Sequence, residues 1–163
     1  HVEDYPYSDG LVIPKNSSST KIALDFIKEF KNMSILVLSS ITSMVAVSSN
    51  LAFEGRYVEN PTFCIQQPSS YIKFEEECMI PIEKKQEHYC SFDLVIQSEP
   101  LMSEDENKIF SSNFPERFQL SKEIVSYFDN CKENYTLIKE MKEEGNEEIR
   151  HYFYIKKDNL KLP

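Results

Sequence analysis

The residues able to do chemistry are few, and their spacing is more informative than their number. Four cysteines stand at Cys64, Cys78, Cys90 and Cys131. None forms a C-x-x-C pair, and His1, His88 and His151 do not fall at metal-ligand spacing beside them. The chain lacks G-x-S-x-G, H-E-x-x-H, phosphate-loop and dinucleotide fingerprints, so no nucleophile, metal or cofactor site can be built from sequence. We expect no catalysis, no metal and no cofactor. An even cysteine count in a short chain fits two disulfides, with three connectivities open. A hairpin-like pairing of Cys78 with Cys90, and Cys64 with Cys131 tying distant strands, is the expected arrangement. N-glycosylation sequons occur at Asn16, Asn32 and Asn134, whereas Asn60 is followed by Pro61 and is excluded. Sequons and paired cysteines together point to a secreted glycoprotein, and the opening His1 is what signal cleavage, or equally a trimmed chain, would leave.

Composition narrows the partners. The 163 residues carry 18 basic and 27 acidic side chains, a formal net charge of −9. That disfavours nucleic acid, whose affinity comes from Lys and Arg neutralising phosphates, and disfavours an anionic membrane surface. Asn32 to Phe53 is uncharged, but its serines, threonine and asparagines make it a poor membrane span. We expect no membrane insertion. Acidic residues crowd 74–87 and 139–150, which read as solvated hairpin ends.

These side chains need elements to position them. Residues 1–18, broken by Pro6, Gly10 and Pro14, read as an extended arm, and 19–163 as one domain. Thr20 to Phe30 places Ile22, Ala23, Phe26, Ile27 and Phe30 on one helical face, with Ser19 or Thr20 as cap. Beyond it, short β-branched and aromatic runs at 34–47, 55–66, 69–75, 88–97, 108–110, 116–128, 134–142 and 148–157 alternate with turn signals and predict strands. A helical reading of 120–133 rests on Leu120, Ile124, Tyr127 and Phe128; the strand reading is preferred. About eight strands suit an antiparallel barrel or a sandwich.

The C-terminal third carries a resemblance. Asp129-Asn130-Cys131, a strand over 134–141, the acidic turn Glu143-Glu144-Gly145-Asn146-Glu147-Glu148 and the aromatic strand 151–155 resemble the closing segment of tick salivary lipocalins, the histamine-binding family. Tyr57 to Cys64 is similar to that family's approach to its second-strand cysteine, and Phe26 stands nearest its first-helix Trp. The resemblance implies a mainly β fold, an eight-stranded antiparallel lipocalin-like barrel with a short N-terminal helix. It further implies a secreted protein that sequesters a small host mediator, hydrophobic or amine, or a host immune protein.

Such a binder needs an apolar pocket with a few orienting polar groups. Tyr57, Phe63, Phe92, Tyr127, Tyr152, Phe153 and Tyr154 are the lining candidates, the alternative being that they are plain core. Amine binding would also need a buried carboxylate, with Glu123 and Asp93 in strand-like contexts. The competing class is a secreted β-sandwich for immune evasion or adhesion, binding a host receptor or cytokine through its surface.

Overall fold

A computed structural model describes residues 2–4, 12–14, 17–62, 65–66, 71–72, 81–113 and 115–161. Along them run β1 (Val2–Asp4), β2 (Val12–Pro14), α1 (Ser18–Ile27), β3 (Ile35–Leu38), α2 (Thr42–Phe53), β4 (Val58–Asn60), β5 (Ile65–Gln66) and β6 (Tyr71–Ile72). A 3₁₀ turn then leads into α3 (Lys85–Tyr89), followed by β7 (Leu94–Glu99), α4 (Glu104–Asn113), α5 (Pro115–Asp129), β8 (Tyr135–Glu143) and β9 (Asn146–Lys156).

The sheet is open and mixed, not a barrel. Five strands lie in the order β4-β3-β7-β9-β8, and the two-residue β5 and β6 extend the β4 edge. β3 pairs parallel with both β4 and β7, whereas β9 runs antiparallel to β7 and to β8. Four consecutive apolar residues, all buried, make β3 a strand covered on both faces, the usual state of a parallel strand. Alternation then sorts the core. Ile35, Val37, Leu94, Ile96, Phe153 and Ile155 face α1 and α2; Leu36, Leu38 and Val95 face Tyr89 of α3 and Ile124 and Phe128 of α5. The result is three layers, helices covering a central sheet.

Three segments expected to be strands are wholly or partly helical. The apolar run 34–47 stops being a strand at Leu38, and Thr42 onward forms α2, whose residues from Ser43 to Ala52 are buried except Asn50. A helix buried on nearly every side shows no amphipathic stripe, which is why composition favoured strand. Its role is topological: parallel neighbours cannot be joined by a tight turn, so β3 reaches β4 through a helical crossover. The segment 116–128 lies in α5, opened by Pro115 at a position that suits proline. Ile124 and Phe128, four residues apart, share its buried face. Residues 108–110 lie in α4, which Ser103 caps: its Oγ accepts from Glu106 N (3.2 Å) and donates to the Glu106 carboxylate (3.1 Å).

Other expectations hold. The first helix is present as Ser18–Ile27, but its cap is Ser17, whose Oγ accepts from Thr20 N at 3.2 Å, and the expected caps Ser19 and Thr20 lie inside it. β8 and β9 form the closing hairpin across Glu144 and Gly145, with Gly145 at φ +80°. In the stretch read as an arm, β1 and β2 pair antiparallel.

The cysteine pairing differs from expectation. Cys90 bonds Cys131, 41 residues apart, joining the end of α3 to the end of α5. Cys64 and Cys78 lie outside the described residues. Tyr135 seals the same corner, its hydroxyl donating to Phe92 O at 2.6 Å and Cys90 O at 3.2 Å. Closing a loop of this length removes about 3–4 kcal/mol of unfolded-chain freedom in the chain-entropy view. Replacing both Cys90 and Cys131 with Ser is expected to lower stability by about that much in denaturant unfolding; an unchanged midpoint would show the bridge to be dispensable.

Candidate functional site

The strand order reverses between β3 and β7. From β3 the chain moves outward to β4, while β7, on the other side, leads away to β9 and β8. In open α/β sheets the two loops leaving such a point diverge, and the crevice outside the carboxyl ends of the strands is where ligands seat. Here those loops are Ser39-Ser40-Ile41 after β3 and Pro100-Leu101-Met102 after β7. Ser40 N donates to Leu101 O at 2.8 Å and ties them together.

Polar groups at this edge are partnered unequally. On the α1/α2 face, polar groups form one continuous chain. Ser39 Oγ lies 2.6 Å from Ser98 Oγ, Ser98 Oγ 2.7 Å from His151 Nδ1, and His151 Nε2 3.0 Å from Glu143 Oε1. Ser43 Oγ donates to the same carboxylate oxygen at 2.7 Å. Register places them, since Ser98 on β7 and Met141 on β8 are both cross-strand partners of His151 on β9. Burial works against a charge on Glu143, but hydrogen bonds from His151 and Ser43 and the charge of His151 outweigh it. Its carboxyl is held below the ordinary carboxylate range. The distances match those of a serine–histidine–carboxylate relay. The position does not suit one: Ser98 and His151 are fully buried, and the Ser98 hydroxyl is shared between Ser39 and the imidazole. The chain therefore acts as a polar clamp between sheet and helices, and is satisfied along its length.

Next to it, Glu144 accepts from Ser18 N at 2.9 Å while its own N–H donates to Ser19 Oγ at 2.8 Å. The acidic hairpin expected to be a solvated end thus spends two carboxylates on the first turns of α1 and α2, where negative charge is favoured.

Other polar groups at this edge are not satisfied. Gln97 follows Val95 in the strand alternation and pairs in register with Leu38, so it continues the α3/α5 face, while Ser40 lies in the loop beyond β3. Gln97 Oε1 and Ser40 Oγ are buried with no hydrogen-bond partner; among the described residues only Ser49 Oγ of α2 shares that state. At the same edge opens a cavity of about 370 Å³ lined by Pro100, Leu101, Met102, Glu104, Asn107 and Lys122. Its walls are apolar at Pro100, Leu101 and the buried Met102, and its rim carries one residue of each charge. Glu104 already pairs with Lys108 at 3.8 Å, and Lys122 also has a partner.

Tyr57 and Phe92, their ring centroids 6.3 Å apart, line one cavity of about 320 Å³ together with Asp93; the other residues expected to line a pocket are not gathered around it. The sheet divides them. Phe153 packs against Phe26 on the α1/α2 face with ring centroids 5.3 Å apart, while Tyr154 packs against Phe128 at 5.5 Å on the other. Phe92 is buried, Tyr127 lies 6.2 Å from Tyr89, and Tyr57 is 56% exposed. Tyr152 pairs across strands with Gln97 and Glu140, and Phe63 lies outside the described residues. Neither carboxylate considered for an amine is available. Glu123 is exposed on α5, and Asp93 accepts from Ser34 N, Ser34 Oγ and Asn159 Nδ2. The buried carboxylate that sequence reading missed is Glu59, held 3.0 Å from His88 Nε2; that hydrogen bond raises the His88 pKa against the opposing effect of burial. Among the described residues no group of three His, Cys, Asp or Glu could hold a metal ion. Asn32, at φ +62°, and Asn134 are exposed, and Asn16 lies outside the described residues.

Comparison with protein-family models, with curated proteins and with solved structures finds no match. No helix among the described residues is long and apolar enough to cross a membrane.

The clamp makes stability depend on pH in one direction. A carboxyl with a depressed folded pKa contributes stability in full above its unfolded value, about 4.3, and loses it as pH falls through the folded value. Melting temperatures of wild type and Glu143→Gln should therefore be furthest apart near neutrality and converge as pH falls through and below the ordinary carboxylate range. A gap that stays constant over that range would mean Glu143 contributes nothing as a charged acceptor.

Proposed function

We propose that this protein is an extracellular binding domain that captures a small amphipathic molecule, without turnover, in the crevice at the carboxyl ends of β3 and β7. The observation carrying this reading is the coincidence of three features at one edge: the reversal of strand order, an apolar cavity of about 370 Å³, and loops tied across it by Ser40 and Leu101. That volume lies at the lower end of the range for small-molecule sites, about 300–1,000 Å³.

The extracellular part rests on the Cys90–Cys131 bridge and on the sequons. Asn32 precedes β3 and Asn134 precedes β8, whose first residues pair through β9 with the start of β7. Both sequons therefore sit at the amino edge of the parallel strands, away from the crevice, where glycans would leave it open. Expressed through a secretory pathway, the protein should lose mass on glycosidase treatment, and Asn32→Gln with Asn134→Gln should remove the part of that loss these sites carry. Sites that remain unmodified would weaken the extracellular reading.

Capture is tested by filling the cavity. Asn107 is exposed, so Asn107→Trp should leave the melting temperature unchanged while weakening Nile red binding by about tenfold or more, a loss of about 1.4 kcal/mol. Equal binding by the two proteins would place the dye elsewhere and remove the support for this crevice.

A further inference from the structure

We infer that the first sugar of an Asn32-linked glycan is part of the fold: its N-acetylglucosamine ring lies against Tyr57, in the groove at the amino edge of the parallel strands, and holds the turn before β3 to the start of β4. The inference rests on the extracellular part of the reading above, because N-linked sugars are added along the secretory route.

Asn32-Met33-Ser34 is a sequon, and the fold gives its asparagine a neighbouring seat for a sugar. Asn32 is exposed in the turn joining α1 to β3, at φ +62°, a conformation that asparagine tolerates better than most residues. The adjacent strand is fixed beside it. Ile35 N donates to Tyr57 O at 2.9 Å, and Ile35 pairs in register with Val58. Tyr57 thus stands one position before β4, as Ser34 does before β3. Two cavities meet here. One, of about 440 Å³, extends toward Gly55 and Arg56; the other, of about 320 Å³, extends toward Ser91 and Phe92. Asn32 and Tyr57 line both.

Turn geometry accounts for Asn32 but not for Tyr57. The tyrosine is 56% exposed, while Phe92, its ring neighbour at 6.3 Å, is buried. A sugar ring matches such a surface. Its axial C–H bonds present an apolar face to the negative face of the aromatic ring, and its hydroxyls stay in water. The polar neighbours suit an uncharged sugar. Arg56 spends one N–H donor on Phe30 O at 2.7 Å and has others for sugar oxygens. Ser91 Oγ donates to His88 O at 2.7 Å and can still accept. Asn134, at the end of a 3₁₀ turn, lines neither of these cavities.

The bond is made before the fold closes. Asn32 Nδ2 displaces a lipid diphosphate from the anomeric carbon of the first N-acetylglucosamine of a lipid-linked oligosaccharide. The bond from Nδ2 to that carbon forms, the bond from the carbon to the diphosphate oxygen breaks, and Nδ2 gives up one proton. The sequon is read through its hydroxyl residue. In the folded chain Ser34 Oγ is clasped by Asp93, donating to Oδ2 at 3.1 Å and accepting from the Asp93 N–H at 3.0 Å. Transfer therefore precedes that clasp, and Tyr57 meets a sugar already in place.

The test uses the full chain carrying Asn16→Gln and Asn134→Gln, secreted from cells that make only high-mannose glycans. Asn32 is then the one remaining sequon. Three forms are compared: the whole glycan, the single N-acetylglucosamine left by endoglycosidase H, and the bare chain with Asn32→Asp. The first two should melt together, about 2–4 °C above the third, the scale of one aromatic contact in a chain of this length. In Tyr57→Ser the gap should close. Contact is also read without that variant, as nuclear Overhauser effects between the sugar ring protons and the Tyr57 ring. An unmodified Asn32 would overturn the inference and weaken the extracellular reading with it. A modified Asn32 with no melting gap and no ring contact would overturn the inference alone and leave the extracellular reading standing. A gap unchanged in Tyr57→Ser would show that the glycan acts on the unfolded chain, and a gap lost on trimming would assign it to the outer sugars; either overturns the seating on Tyr57.

Discussion

The parallel pairing of β3 with β7 is the constraint on which the rest of the molecule depends. Ile35 to Leu38 are apolar on both sides and pair in register with Leu94 to Gln97. A strand so covered needs helices on two faces, and a parallel neighbour needs a crossover to reach it. Those two demands produce α2 between β3 and β4, and place α1 with α2 on one face and α3 with α5 on the other. They also send the two loops in opposite directions from adjacent strand ends. The crevice is a consequence of topology before any residue in it is considered.

What the residues add is an unevenness in how the polar groups of one edge are partnered. Ser39, Ser98, His151, Glu143 and Ser43 form a run in which each group has a partner, so burial of five polar side chains costs little and locks β7, β8 and β9 to α2. At the sequence neighbours of Ser98 and Ser39, the pattern breaks. Gln97 Oε1 and Ser40 Oγ are as deeply buried and have none. At about 1–3 kcal/mol for each unsatisfied group, this is a large fraction of the marginal stability of a small domain. Ser49 Oγ of α2 is in the same state, so the breaks are not confined to one face; local departures from consistent packing are where functional sites concentrate.

Much of the β8–β9 hairpin was legible in sequence because its signals are local: apolar alternation in 148–157, and Gly145 at a turn that needs positive φ. The first helix was legible for the same reason, as one apolar stripe behind serine caps. The central layer was not. Ile35 to Val47 is one apolar run in which strand and buried helix share a composition, and only the crossover requirement divides it after Leu38. Reading α5 as strand followed from Phe128 and its β-branched neighbours, although Ile124 and Phe128 already kept helical spacing. The eight-stranded barrel counted these misread segments as strands and falls with them. The site was invisible for a different reason. Serine, glutamine and histidine on strands look like solvent-facing positions until register brings Ser98 opposite His151 and Gln97 opposite Leu38.

The acidic charge takes on a new meaning in this setting. A net charge of −9 excludes partners, and the run from 139 to 150 looks like a hydrophilic turn. Glu143 and Glu144 instead compensate the positive ends of α2 and α1, and Glu140 pairs with Arg150 at 2.8 Å. In nucleotide-binding sheets, the helix that follows the first strand offers its amino terminus to phosphate. Here that helix is α2. Its first turn carries no glycine, and its serine hydroxyl donates to a carboxylate of the same chain. The topology that elsewhere serves anions is thus filled from within. The chain has placed its own carboxylates where that topology would otherwise seat an anion, and the buried side-chain atoms left without a partner among the described residues, Gln97 Oε1, Ser40 Oγ and Ser49 Oγ, carry no charge.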